Sequence, residues 1–102
     1  MTTLADVADV LRSKNAGPFE LTIDLLFERA QQFRRVLDSG VLTRSSVAAA
    51  YGVPEDTVRI TVVAGVQAIK VTFPRPGPSS GAPADTDVYG AQQHAPLARL
   101  EL

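Results

Sequence analysis

Residues 57–73, TVRITVVAGVQAIKVTF, constrain the fold more than any other stretch. Val, Ile and Thr dominate it, and β-branched side chains favour extended backbone, where they pack on a pleated surface. Ala64 and Gly65 near the middle supply a turn, so the run reads as two strands. Gln67, Ile69, Val71 and Phe73 share one face of the second strand, and Ala68, Lys70 and Thr72 share the other. A further strand is expected over 19–27, where Phe19, Leu21, Ile23, Leu25 and Phe27 alternate with Glu20, Thr22, Asp24 and Leu26. Strands of this kind bury one face, which something else in the chain must cover.

Helices supply the cover. Leu26, Ala30, Phe33, Val36 and Leu37 recur at helical spacing, and Gly40 suits a left-handed C-cap. Thr43 caps a second helix through Tyr51, Gly52 ends it, and Pro54 prevents its continuation. Thr3 and Asp6 mark the start of a short helix over about the first dozen residues, with Leu4, Val7, Ala8 and Leu11 on one side. The segment 74–85, PRPGPSSGAPAD, has no regular period and reads as a flexible loop of the length that is often functional or ordered by a partner. The end of the chain reads as a last strand or a helix; as a strand, ARLEL puts Ala98, Leu100 and Leu102 on one face. The order gives an α+β fold: a layered sandwich with a mostly antiparallel sheet covered by helices on one face. Its 102 residues make one domain spanning 1–102.

Composition narrows the function classes. Ten Lys and Arg against eleven Asp and Glu leave a net charge of −1, which lacks the basic field of a general nucleic-acid binder. Without cysteine there is neither a disulfide framework nor a thiolate metal site, and a single histidine makes a poor start for a metal centre. No metal or cofactor is therefore expected. MTTLADVADV lacks the basic start and apolar core of a signal peptide, and no apolar run approaches membrane-spanning length. A cytoplasmic domain without membrane contact is the expectation, and spare sheet edges allow it to self-associate.

Two stretches carry residue types suited to chemistry. In RSKNAGP, residues 12–18, Arg12 and Lys14 are cationic donors, Asn15 is a neutral one, and Gly17 lets backbone approach a ligand closely. Read as a loop before the strand, this suits a carboxylate or phosphate, because charge-assisted hydrogen bonds to anions are strong. Read as a solvated turn, it needs no ligand. In DVYGAQQHAP, residues 87–96, Tyr89, Gln92, Gln93 and His94 lie close together. His94 is the only side chain whose unperturbed pKa lies near neutrality, and with Tyr89 it suits proton transfer. A polar terminal loop is the plain alternative. Residues 45–60, SSVAAAYGVPEDTVRI, loosely fit a helix-turn-helix, with EDTVRITVVAG as the second helix, although that helix offers one Arg and many β-branched residues.

The stretches LRSKNAGPFELTIDLLF, GVLTRSSVAAAYGV, AIKVTFPRP and DVYGAQQHAPL together resemble a family of small bacterial proteins designated only as a domain of unknown function. That family is similar to the ferredoxin-like C-terminal domain of the acyclic-terpene-utilisation protein A (AtuA) group, whose larger members are typically encoded beside it. In the related domain the opening looks like RSGDKG, and this chain departs from it with RSKNAG. The resemblance implies a ferredoxin-like fold without an iron–sulfur cluster, and an AtuA-like large subunit as partner. It also places Arg12, Ser13, Lys14, Asn15 and Gly17, with Tyr89, Gly90, Gln92, Gln93 and His94, on a functional surface. The expected function is that of a small subunit of a two-component hydratase or isomerase acting on unsaturated carboxylic acids or their coenzyme A thioesters. In that reading Arg12, Ser13, Lys14, Asn15, Gly17, Gln92 and Gln93 hold the substrate, and His94 and Tyr89 are catalytic. A non-catalytic scaffold or regulatory subunit of the same large protein is the alternative, and DNA binding a lesser one.

Overall fold

The computed structural model describes residues 2–17, 19–75 and 95–102. Helix α1 (Leu4–Val7) leads into strands β1 (Val10–Asn15) and β2 (Glu20–Leu26), followed by helices α2 (Ala30–Ser39) and α3 (Arg44–Tyr51). A 3₁₀ turn at Glu55–Thr57 precedes β3 (Arg59–Val63), a second at Ala64–Val66 precedes β4 (Ala68–Pro74), and α4 (Ala95–Ala98) comes last. The four strands form one sheet in the order β1-β2-β4-β3, and every neighbouring pair is antiparallel. β2 and β3 therefore run parallel with β4 between them, joined through the two longer helices. That is a split β-α-β unit, the element that marks ferredoxin-like sandwiches.

The register sets the two faces, because side chains directly opposed across antiparallel strands share a face. Leu11, Ser13 and Asn15 align with Leu25, Ile23 and Leu21, which align in turn with Ile69, Val71 and Phe73. This face meets the helices. Leu21, Ile23, Leu25, Val71 and Phe73 are fully buried with Leu4, Val47 and Leu97, and Phe33, Val36, Ala48 and Tyr51 pack into the same cluster. Among the described residues no helix lies over the opposite face, where Arg12, Lys14, Arg59, Thr61 and Lys70 are exposed.

Local chemistry explains the helix boundaries. The Thr43 hydroxyl accepts from the Ser46 N–H at 3.0 Å, and the Ser46 hydroxyl accepts from the Thr43 N–H at 3.0 Å, so α3 starts on a reciprocal cap. Gly40 and Gly52 end α2 and α3 with φ of 70° and 67°, as their positions predict. At α1 the Thr3 N–H donates to the Asp6 carboxylate at 2.8 Å. That bond, followed by one from the Thr3 hydroxyl, holds the Asp6 carboxyl below its ordinary range.

Several expectations need correcting. The opening helix stops at Val7, and residues 10–15 form an edge strand where a helix end and a loop are predicted. Arg12, Ser13, Lys14 and Asn15 therefore belong to a sheet, since pairing with β2 satisfies their backbone better than an isolated turn does. Phe19 precedes β2 and is 69% exposed, so it is not a core residue. Leu26 ends β2 and does not begin α2, and Leu37 of α2 is 41% exposed. Of the two readings of the chain's end, the structure has the short helix α4, and the strand is reduced to one bridge, Thr3 to Glu101. EDTVRITVVAG forms a 3₁₀ turn and β3, so the recognition helix of a helix-turn-helix does not exist there: four β-branched residues in five favour pairing with β4. Pro74 ends β4 and Arg75 is buried, which trims the predicted loop at its start. The rest of that loop, residues 76–85, lies outside the described residues.

Candidate functional site

The period of two in β1 separates the residues that sequence reading grouped together. Arg12 and Lys14 project from the open face, whereas Ser13 and Asn15 project toward the helices. Ser13 is buried. Asn15 accepts a hydrogen bond through Oδ1 from the Arg75 guanidinium at 2.8 Å, and the Arg75 N–H donates to the Phe19 carbonyl at 2.8 Å. These bonds tie the end of β1 to the end of β4 over the intervening β2. Gly17 lies beyond β1 with φ of 93°, a backbone shape that other residues rarely adopt. Tyr89, Gln92, Gln93 and His94 lie outside the described residues.

On the open face the two cations converge. Arg12 Nε lies 3.6 Å from Asp24 Oδ2, and Lys14 Nζ lies 3.7 Å from the same oxygen. The carboxylate is well shielded, while the Arg12 and Lys14 side chains are 61% and 58% exposed. Register places Lys70 opposite Asp24 on the other side, and Thr61 beyond it on β3. In the next row Thr22 and Thr72 share a hydroxyl hydrogen bond at 3.3 Å, and Arg59 reaches over β4 to Glu20 at 3.1 Å. Four cations thus face two carboxylates on this surface, although the whole chain carries a net charge of −1. Both cations are exposed and sit at the long end of ion-pair distance, so water competes for them and they rearrange at little cost. The cations can therefore turn from Asp24 toward an anion arriving from solvent.

Sequence reading missed Asp24 and Lys70, since both looked like ordinary outward positions on their strands. The signal was available in the alternation itself: Asp24 and Lys70 occupy matching outward positions of two strands once those strands are paired. Among the described residues no group of three His, Cys, Asp or Glu is placed to hold a metal ion. No helix of these residues is long and apolar enough to cross a membrane. A depression of about 390 Å³ lies on α2, lined by Ala30, Gln31, Arg34, Arg35 and Asp38. It is a surface feature of one helix and includes none of the expected site residues.

The fold and this surface define a class: a small two-layer α+β domain that presents a mixed but predominantly cationic sheet face. Residues 4–101 match the family model described as Domain of unknown function (DUF4387), and the chain belongs to that family. No curated protein matches it, and no solved structure does either.

Proposed function

We propose that this domain is the small subunit of a two-component enzyme whose larger subunit is AtuA-like. Its open sheet face would hold the carboxylate or phosphate group of an unsaturated acid, or of its coenzyme A thioester, at the junction of the two chains. The observation that supports this reading is the convergence of Arg12 and Lys14 on one carboxylate oxygen of Asp24, on a surface that no described helix covers. An arrangement that seats one carboxylate between two exposed cations suits a second anion of the same kind. The reaction class is hydration–dehydration or isomerisation. Neither changes the overall oxidation level of the substrate with its water, so an acid, a base and an anion clamp suffice. In this reading the clamp is Arg12 and Lys14, and proton transfer falls to Tyr89 and His94 or to the larger chain. Ser13 and Asn15 support the clamp from the opposite side of β1, where they face the helical layer.

Co-expression with an AtuA-like large protein, followed by size exclusion with mass detection, tests the assembly. One complex is expected, and two separate peaks overturn the subunit reading. With the complex in hand, Arg12→Ala and Lys14→Ala should lower turnover of unsaturated acids or thioesters while leaving the complex intact. Unchanged turnover in both variants removes the clamp from the mechanism.

A further inference from the structure

The two edges of the sheet differ in a way that selects one of them for pairing. An edge strand carries unpaired backbone donors and acceptors, and proteins protect such edges with charges, prolines or cover. β1 is protected. A twofold pairing of β1 with a second β1 must oppose residues of the same face, because slipping by one residue exchanges inner and outer positions. Centred on Arg12 it sets that side chain against its own copy. Centred on Ser13 it sets Arg12 against Lys14, and centred on Lys14 it again opposes like charges. Every well-overlapped register therefore places cation against cation, which is destabilising.

Among the described residues β3 has no such guard. Its five residues, Arg59 to Val63, carry one charge, at the first position. Centred on Thr61, self-pairing opposes Arg59 to Val63 and Ile60 to Val62, and Thr61 to its own copy. No like charges meet, and Thr–Thr and β-branched pairs are favourable across antiparallel strands. The apolar surface agrees. Val62 lies on the inner face, opposite Ile69, yet is 45% exposed, whereas Ile69 is 1% exposed. Val63 and Val66 beside it are 44% and 65% exposed.

We infer that β3 is a self-association edge: two copies of this chain pair β3 with β3 antiparallel about a twofold axis through Thr61, forming a continuous eight-stranded sheet with both helical layers on one side. The new contacts bury Val62 of each copy against Ile60 of the other. The occupant is a second copy because the strand is complementary to itself in charge and in face. The inference does not depend on the proposed enzymatic role.

Sedimentation velocity of the full chain over a wide concentration range provides the test, with Thr61→Lys and Thr61→Glu as variants. Thr61 is exposed, so both substitutions leave the core untouched. The native chain should show a concentration-dependent dimer. Each variant alone should weaken dimerisation by roughly an order of magnitude, since like charges then meet on the axis. An equimolar mixture of the two variants should restore dimers. A native chain that stays monomeric at every concentration overturns the inference, and so does a dimer indifferent to both substitutions.

Discussion

The ring of Tyr51 packs on Phe73 at a 39° tilt with centroids 4.3 Å apart, and its hydroxyl accepts the Leu97 N–H at 3.3 Å. One side chain thus joins α3, the central strand β4 and the last helix. Burial pushes the Tyr51 hydroxyl up to about 12, against a partial offset from the Leu97 N–H. The folded state therefore disfavours the phenolate. Stability from this group is fully present below the unfolded value of 10.0 and is lost as pH rises from there toward about 12. Chemical denaturation across that window should show a decline that Tyr51→Phe reduces. Below it, Tyr51→Phe should cost about 1–3 kcal/mol, because the Leu97 N–H loses a buried partner.

The chain termini are pinned together, and that joint is the next place to probe. The Leu4 N–H donates to the Leu100 carbonyl at 2.9 Å, and the Leu102 N–H donates to the Thr2 carbonyl at 2.9 Å. Leu97 is fully buried with Leu4 in the same core. Leu97→Ala should destabilise the domain by about 2–5 kcal/mol, the usual loss when a buried leucine is truncated. Urea denaturation followed by circular dichroism would measure it. A loss well under that range would mean the last helix contributes little to the core.

What the sequence made legible follows from how each element buries its side chains. β2 and β4 lie at the centre of the sheet and carry Leu, Ile, Val and Phe at every inner position, so their period is plain. The caps Thr43, Gly40 and Gly52 act through local geometry, which sequence reports directly. β1 was obscured because two of its three inner positions are Ser13 and Asn15. An edge strand with polar residues on both faces resembles a loop rich in donors, and only pairing with β2 reveals its period. The same blindness hid the open face. Arg12, Asp24 and Lys70 lie far apart in sequence and become a row only through register, a long-range property that no single segment contains.

Gly52 offers a test of the local rules. It ends α3 with φ of 67°, and its N–H donates to the Ala48 carbonyl at 2.8 Å. A Cβ there would meet nothing within 4 Å, so the cost of adding one comes from the backbone alone. Gly52→Ala should destabilise by about 1–2 kcal/mol, and Gly52→Asn by less, since asparagine tolerates the left-handed region. Thermal denaturation of both variants checks the ranking. Equal losses would point to something other than backbone strain.

Asp24 is the point on which the open face turns. Its carboxylate occupies the space between Arg12 and Lys14, so it competes with any anion offered to those cations. Asp24→Asn keeps the shape and removes the competitor. The stability change should be small, below about 1 kcal/mol, because Asn keeps the shielded volume of Asp24 and the two cations left behind are exposed to water. Affinity for inorganic pyrophosphate, measured by calorimetry, should rise in this variant and fall again when Arg12→Ala is added. Binding should also weaken steeply with added salt, as contacts between exposed charges do. An Asp24→Asn protein that binds pyrophosphate no better than the native chain would mean that Arg12 and Lys14 serve the sheet alone.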